Sequence, residues 1–235
     1  MNSKYKVLKF KKNKFENTDD DISIEEPLEI SLKYKDQDKW LTNSLMITMR
    51  TPGHDEDLVR GFLYNEQIIQ NVNEIESIDS HGEKVGKYNI QNKILITLNN
   101  SKNINISKIK RDFMTNSSCG VCGKSSLDAL EITKKEKTSS SDPKLTKEII
   151  IQSPIILRSN QSEFAKTGGI HASGLFSSDG KLISLREDVG RHNALDKMIG
   201  NALNKEQLDP KNQFVTCSGR LNFELVQKVL MTNIG

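Results

Sequence analysis

Two cysteines two residues apart stand mid-chain, in Asn116-Ser117-Ser118-Cys119-Gly120-Val121-Cys122-Gly123-Lys124. A cysteine used for packing sits in an apolar run, because a buried free thiol behaves as a small hydrophobe. Cys119 and Cys122 instead lie among glycines and polar residues, so the segment reads as a loop. Ser125 to Glu131 can start a short helix directly after it. A thiol ahead of a helix N-terminus meets unpaired backbone N–H groups, which favour the thiolate. Three chemistries follow: disulfide exchange, persulfide carriage, or metal ligation. A structural zinc needs four ligands, and Cys217, His54, His81, His171 and His192 add no close ligand spacing to the pair. A thioredoxin-like dithiol follows an apolar strand, whereas Phe113 to Ser118 has lost its apolar pattern. The spacing alone leaves these readings open, beside a plain turn with two unreactive thiols.

Three further clusters could bind an anion. Ser218-Gly219-Arg220 lies where a strand meets a helix, the usual position of a ligand crevice, and Arg220 offers planar donors to a phosphate or a guanine edge. Arg186 to Asn193 packs two arginines, two carboxylates, a histidine and an amide around Gly190; capping and internal ion pairs are its structural alternative. Lys166-Thr167-Gly168-Gly169, followed by His171, could meet a phosphate or simply end a helix. Cys217, in an apolar strand, reads as packed and inert, and His54 as a turn or surface residue. Zinc nucleoside deaminases use His-Ala-Glu and a later Pro-Cys-x-x-Cys. Here Ser173 follows His171-Ala172 and the paired cysteines come earlier, so the proton carrier and two ligands of that chemistry are missing.

The elements that must position these groups fall into two halves. Residues 1–20 read as a flexible charged tail. Residues 21–133 read as a mixed strand and helix domain ending in the Cys119–Cys122 loop. Within it the alternation in Leu28 to Leu32 and the run Leu45 to Met49 predict a hairpin. Thr51-Pro52-Gly53 then stops the strand, and a helix runs from Asp55 through Leu58, Phe62 and Ile68-Ile69. Extended pieces follow near 74–79 and 93–98. The charged, Ser-rich stretch 134–145 reads as a linker. Residues 146–235 form the second domain: Ser153-Pro154 as N-cap and first helical residue, a hairpin over 171–185, a helix with Leu195, Met198, Ile199 and Ala202, a strand at 214–217 and a helix at 223–230. That order predicts an α/β (α+β overall) architecture with helices covering a sheet.

At 235 residues the chain can bury one substantial core or two modest ones. No run of eighteen apolar residues predicts a membrane span, and the lysine-rich start has no signal-peptide core. Three cysteines are too few for a disulfide scaffold, so the cytoplasm is expected. A formal charge of +3 with scattered lysines and 6% aromatic residues predicts no nucleic-acid partner.

Five blocks, in order, resemble the FdhD family of sulfur-carrier accessory proteins for formate dehydrogenase. They are Thr51-Pro52-Gly53 with Gly61-Phe62-Leu63, Ser118 to Gly123, Thr167-Gly168-Gly169-Ile170-His171-Ala172, the eleven residues Glu187 to Lys197, and Ser218-Gly219-Arg220. The resemblance implies a sulfurtransferase that takes persulfide sulfur from a cysteine desulfurase onto Cys119, with Cys122 as partner, and passes it to the molybdenum bis(guanine dinucleotide) cofactor for formate dehydrogenase. It implies a cytidine deaminase-like second domain, a homodimer, no resident metal, and a cofactor site drawn from Thr51, Gly168, Gly169, His171, Arg191, His192, Asn193, Ser218, Gly219 and Arg220. Family members continue past Gly235 with another strand and helix, which this sequence lacks. The alternative is a cofactor-delivery chaperone whose cysteine pair is a redox sensor or a zinc site.

Overall fold

Leu28, Ile30, Leu32 and Tyr34 alternate with polar residues, and this period-two pattern buries one face of a long strand. In the computed structural model, which describes residues 2–36, 39–99 and 144–234, that strand is β3 (Glu26–Asp36). It pairs antiparallel with β4 (Lys39–Arg50) and parallel with β6 (Ile90–Leu98), which pairs antiparallel with β5 (Ile75–Val85). The sheet order is β4-β3-β6-β5. Helix α1 (Asp55–Asn65) covers it with Leu58, Val59, Phe62 and Leu63. The helix stops earlier than its apolar pattern implies. Gln67 takes a positive φ of 56°, and Ile68 and Ile69 are buried as loop residues whose N–H groups donate to the Leu63 carbonyl.

The N-terminal residues differ from the expected tail: β1 (Asn2–Lys11) and β2 (Lys14–Ser23) form a hairpin. Lysines and carboxylates that look like solvated runs in sequence lie opposite each other in register, Lys4 with Asp21, Lys6 with Asp19 and Lys9 with Glu16. Such cross-strand charge pairs support the hairpin. Lys12 and Asn13 both have positive φ, as a two-residue turn of this hand requires.

The second sheet is small and antiparallel, in the order β8-β7-β9, from β7 (His171–Ser177), β8 (Leu182–Asp188) and β9 (Gln213–Cys217). Successive residues of β7 face opposite ways. Leu175 packs with Leu195, Met198 and Ile199 of α4 (Arg191–Asn204), and Phe176 with Leu157 of α2 (Lys147–Ser159) and Phe214. A short α3 (Ser162–Thr167) precedes β7, and α5 (Phe223–Met231) follows β9. The architecture is mixed α+β, two sheets flanked by helices. Helix α2 opens at Thr146, whose side chain accepts the Ile149 N–H, rather than at Ser153. Pro154 therefore lies inside the helix. It cannot donate to the Ile150 carbonyl, and Ser153 Oγ donates there instead. Of the expected 134–145 linker, residues 134–143 lie outside the described residues.

The two layers meet where α1 crosses α4. A Cβ on Gly61 would lie 1.9 Å from the Asp196 carbonyl oxygen, and one on Gly200 would lie 1.9 Å from that of Asp57. Backbone meets backbone at both points, so no side chain fits between the helices. Gly200→Ala is expected to cost about 1–3 kcal/mol or more, the range for overpacking a close-packed interior. The check is the urea midpoint of the variant; an unchanged midpoint would mean the helices separate freely.

Candidate functional site

Arg50, at the end of β4, is fully buried, and each of its three guanidinium nitrogens donates a hydrogen bond. Its Nε and one terminal nitrogen grip both oxygens of Asp55 at 3.0 and 2.9 Å. The other terminal nitrogen donates to the Glu26 and Pro27 carbonyls and to Asn92 Oδ1. This fixes where β4 ends, and hence Thr51. The Thr51 N–H donates to Asp188 Oδ2 at 3.1 Å, its hydroxyl accepts the Val189 N–H at 3.1 Å, and its carbonyl accepts from Lys197 Nζ at 2.7 Å. Lys197 Nζ also lies 2.7 Å from Asp188 Oδ2, and both side chains are buried. Burial pushes the Asp188 carboxyl upward, and Lys197 with its hydrogen-bond donors pulls it back. The other Asp188 oxygen accepts the Gly190 N–H at 2.8 Å, just where α4 begins.

Helix α4 therefore starts at a fixed place, and no side chain caps it at Gly190. Its first residue is Arg191, whose Nε is buried and has no hydrogen-bond partner among the described residues. His192 follows, half-buried beside the start of α5: its Nε2 lies 3.1 Å from Glu224 Oε2 and 3.2 Å from Asn222 Nδ2. Asn222 caps α5 through the Leu225 N–H. Burial, then the charges of Lys228 and Arg191, lower the His192 pKa to about 4, against a smaller upward pull from Asn222. The nearby Glu224 carboxylate also faces Lys228, which claims part of its field. Lys228 is buried and donates to both oxygens of Asp196, and it pairs with Glu66 at 3.2 Å. Burial opposes the Lys228 charge, but Asp196, Glu66 and Glu224 outweigh it and hold the ammonium above its usual range. Burial alone pushes Asp196 toward its neutral form; with two donors from that ammonium on its oxygens, the ionised pair is the consistent state.

The rest of the cluster comes from β7, β9 and the loop before β7. His171 pairs in register with Asp188, placing the start of β7 beside the end of β8. Ser218 closes the end of β9 onto β7: its Oγ accepts the Ala172 N–H at 2.8 Å and its own N–H donates to the Ala172 carbonyl. The His171 ring lies against Gly219, where a Cβ would come within 3.0 Å of Nδ1. Gly168 ends α3 with a positive φ of 68°, and a Cβ there would meet nothing within 4 Å, so Gly168 and Gly169 form an open stretch of backbone. Glu187 holds α3 in place by accepting the Glu163 and Phe164 N–H groups at 2.9 Å. Arg220 is exposed.

The fold thus gathers Gly168, Gly169, His171, Arg191, His192, Ser218, Gly219 and Arg220 at one end of the small sheet, where β8 and β9 finish and α4 and α5 begin. The uncapped start of α4, with cations nearby, favours negatively charged oxygens. Thr51 and Asn193 belong to the same region but offer no free group. The Asn193 amide donates to Thr48 Oγ1 and to the Met49 carbonyl at 2.8 Å, so both residues tie β4 to α4. Cys217 is half-buried 3.6 Å from Ser173 Oγ, and burial pushes its thiol pKa up. Cys119 and Cys122 lie outside the described residues. Among the described residues no three His, Cys, Asp or Glu side chains are grouped to hold a metal, and no helix is long and apolar enough to cross a membrane.

Sequence reasoning missed four of the buried ions that set this geometry, Arg50, Lys197, Asp196 and Lys228, and placed the fifth, Asp188, in the Arg186–Asn193 cluster, whose alternative of internal ion pairs is what Asp188 shows. The available signal was a charge set inside an apolar helical stretch, as with Asp196-Lys197 between Leu195 and Met198. A polar residue there either faces solvent or is paired, and pairing is a tertiary fact.

The FdhD/NarQ family pattern matches residues 23–235. The chain is 39% identical over 231 residues to the sulfur carrier protein FdhD of Sulfolobus acidocaldarius, spanning 98% of this chain and 81% of that protein. It is 38% identical over 231 residues to the sulfur carrier protein FdhD of Streptomyces coelicolor, with 97% and 79% covered. A crystal structure designated as a formate dehydrogenase accessory protein from Desulfotalea psychrophila superposes with a TM-score of 0.64 at 23% identity, over 99% of this chain and 81% of that one, and shares the fold. The chain belongs to the FdhD/NarQ family.

The His192 shift predicts an acid-sensitive helix junction. Its folded pKa of about 4 lies below the ordinary 6.5, so between those values the unfolded chain binds a proton that the folded chain does not. Its contribution is complete above pH 6.5 and is lost as pH falls toward 4, with a slope of at most about 1.4 kcal/mol per pH unit. Denaturant titrations at pH 5 and pH 7 should show this loss in the native chain and a smaller one in His192→Gln. Equal losses in both would place the acid sensitivity elsewhere.

Proposed function

We propose that this member of the FdhD/NarQ family is a sulfurtransferase that accepts persulfide sulfur from a cysteine desulfurase on Cys119 and delivers it to the molybdenum bis(guanine dinucleotide) cofactor of formate dehydrogenase. The observation that carries this reading is 39% identity across nearly the whole chain to a sulfur carrier protein, with Ser118-Cys119-Gly120-Val121-Cys122-Gly123 present. In the first step the Cys119 thiolate attacks the terminal sulfur of the donor persulfide. A new S–S bond forms on Cys119, and the donor leaves as a thiolate. In the second, the Cys122 thiolate attacks the inner sulfur, the terminal sulfur departs as sulfide toward the metal, and a Cys119–Cys122 disulfide forms. An external dithiol then restores the pair by exchange.

The large anionic cofactor is the substrate, and the end of the small sheet suits it. Gly168 and Gly169 allow close backbone approach, the start of α4 and Arg191 face its phosphates or guanine, and His171, His192, Ser218, Gly219 and Arg220 complete the wall. Thr51 and Asn193 act by holding α4 against β4. Hairpin, helix, strand and helix in that order also support a deaminase-like second layer without deaminase chemistry. We place the protein in the cytoplasm as a homodimer.

Cys119→Ala is expected to abolish sulfur transfer while leaving the unfolding midpoint unchanged. Intact-mass measurement after incubation with a desulfurase and cysteine should show one added sulfur on the native chain and none on the variant. Normal formate dehydrogenase maturation by the variant would sink the assignment of Cys119. Arg191→Ala should weaken guanosine diphosphate binding by roughly tenfold or more, the worth of a hydrogen bond from a charged group, with persulfide loading intact. Unchanged calorimetric affinity would move the nucleotide to another part of the surface.

A further inference from the structure

Four aromatic side chains follow Lys144 in the sequence, and the fold gives three of them a partner. Phe176 stacks on Phe214 with ring centroids 5.4 Å apart, in the apolar cluster shared with Leu157 of α2. Phe164 carries the Arg158 guanidinium 3.5 Å from its ring centre. The fourth, Phe223, is 46% exposed and has no aromatic or cationic partner among the described residues. An aromatic ring is mostly apolar surface, and one left in water beside a cluster of polar donors suits a ligand with a flat face.

Phe223 is held at the end of the small sheet, where the anion donors gather. It is the first residue of α5 and follows Gly219 and Arg220 by only a few residues. The residues on either side of it are fastened to the first turn of α4. His192 Nε2 lies 3.2 Å from Asn222 Nδ2 and 3.1 Å from Glu224 Oε2. Asn222 also accepts the Leu225 N–H at 3.0 Å, so the backbone that carries Phe223 is fixed. Within α5, Leu225 and Lys228 turn inward, while Phe223 and Val226, three residues apart, lie on the outer side. Leu221, just before the helix, is exposed as well. An apolar surface therefore follows Arg220 directly and is tied through His192 to the start of α4.

We propose that Phe223 is the platform on which the guanine ring of the cofactor stacks, with Leu221 extending its apolar surface. This rests on the cofactor site proposed above and gives that site a residue for the base. A nucleotide presents two unlike surfaces. Its phosphates seek cations and backbone N–H groups, which Arg191, Gly168, Gly169 and the start of α4 supply. The faces of its base are flat and carry no hydrogen-bonding group, so they call for a ring. The two imidazoles of the site are already engaged, His171 against Gly219 and His192 with Asn222 and Glu224. Phe223 is the ring that remains. Stacking tolerates any base, so the platform supplies affinity, and planar donors at the ring edge, from Arg191 or Arg220, supply the choice of guanine.

Calorimetric titration of the full chain with guanosine diphosphate tests this, with circular dichroism to confirm that each variant is folded. Phe223→Ser should weaken binding by about ten- to a hundredfold, the worth of one stacked base. Phe223→Tyr keeps the ring and should bind as the native chain does. In proton magnetic resonance, the guanine H8 signal should move upfield on adding the native chain, as it does over the face of a ring, and should not move so with Phe223→Ser. Binding that is absent, or indifferent to both Arg191→Ala and Phe223→Ser, overturns the cofactor site and the platform together. Binding that needs Arg191 and ignores Phe223→Ser overturns the platform alone. Equal losses in Phe223→Ser and Phe223→Tyr, or no upfield shift with the native chain, also overturn it, because the residue would then act without stacking. A native dimer that dissociates in Phe223→Ser with nucleotide affinity unchanged assigns the ring to a subunit contact instead.

Discussion

Helices α1 and α4 can touch only because Gly61 and Gly200 carry no side chains, and that contact joins the two sheets. Each glycine faces a backbone carbonyl of the other helix, so the crossing distance is set by main chain rather than by packed side chains. Everything at the site inherits this spacing. Helix α4 begins where β8 ends, and its first turn reaches the end of β4 through Asn193. A wider crossing would carry Arg191 and His192 away from β4.

Charge buried along the same seam makes the contact specific. Asp188 and Lys197 satisfy the Thr51 backbone, Arg186 and Asn201 both donate to Asp57, and Asn65 with Lys228 satisfies Asp196. Removing one partner of such a pair leaves an uncompensated buried charge, which costs far more than the intact pair contributes. The seam tolerates one register between α1, α4 and β4. That is the requirement for a surface built from the ends of several elements.

The site itself is made of termini. Glycines, a serine and helix starts supply backbone donors, while Arg191, His192 and Arg220 supply side chains. Arg191 Nε is buried without a partner among the described residues, as fits a donor that waits for an anionic ligand. The neutral His192 beside it adds no charge to the crevice near pH 7 and leaves the arginines and helix ends as its positive groups.

Much of this was legible in the residues themselves. Alternation marked β3, turn residues and period marked the hairpin over 171–185, and helical spacing marked α4, while the cysteine spacing left several sulfur chemistries open until the family's blocks were matched. These are local signals, read over a few residues. The hairpin over 2–23 was missed because its charge pairs form only in antiparallel register, and the start of α2 because Ser153 takes over the bond that Pro154 cannot make. Thr51 and Asn193 read as ligand-facing in sequence, whereas contacts more than 130 residues away in the chain use their polar atoms. Residue type and spacing narrowed the chemistry to a few sulfur and anion-binding readings and marked most of the strands and helices. Which polar groups remain free for a ligand was decided only by tertiary structure, because a donor is free or spent according to neighbours that folding brings from far along the chain.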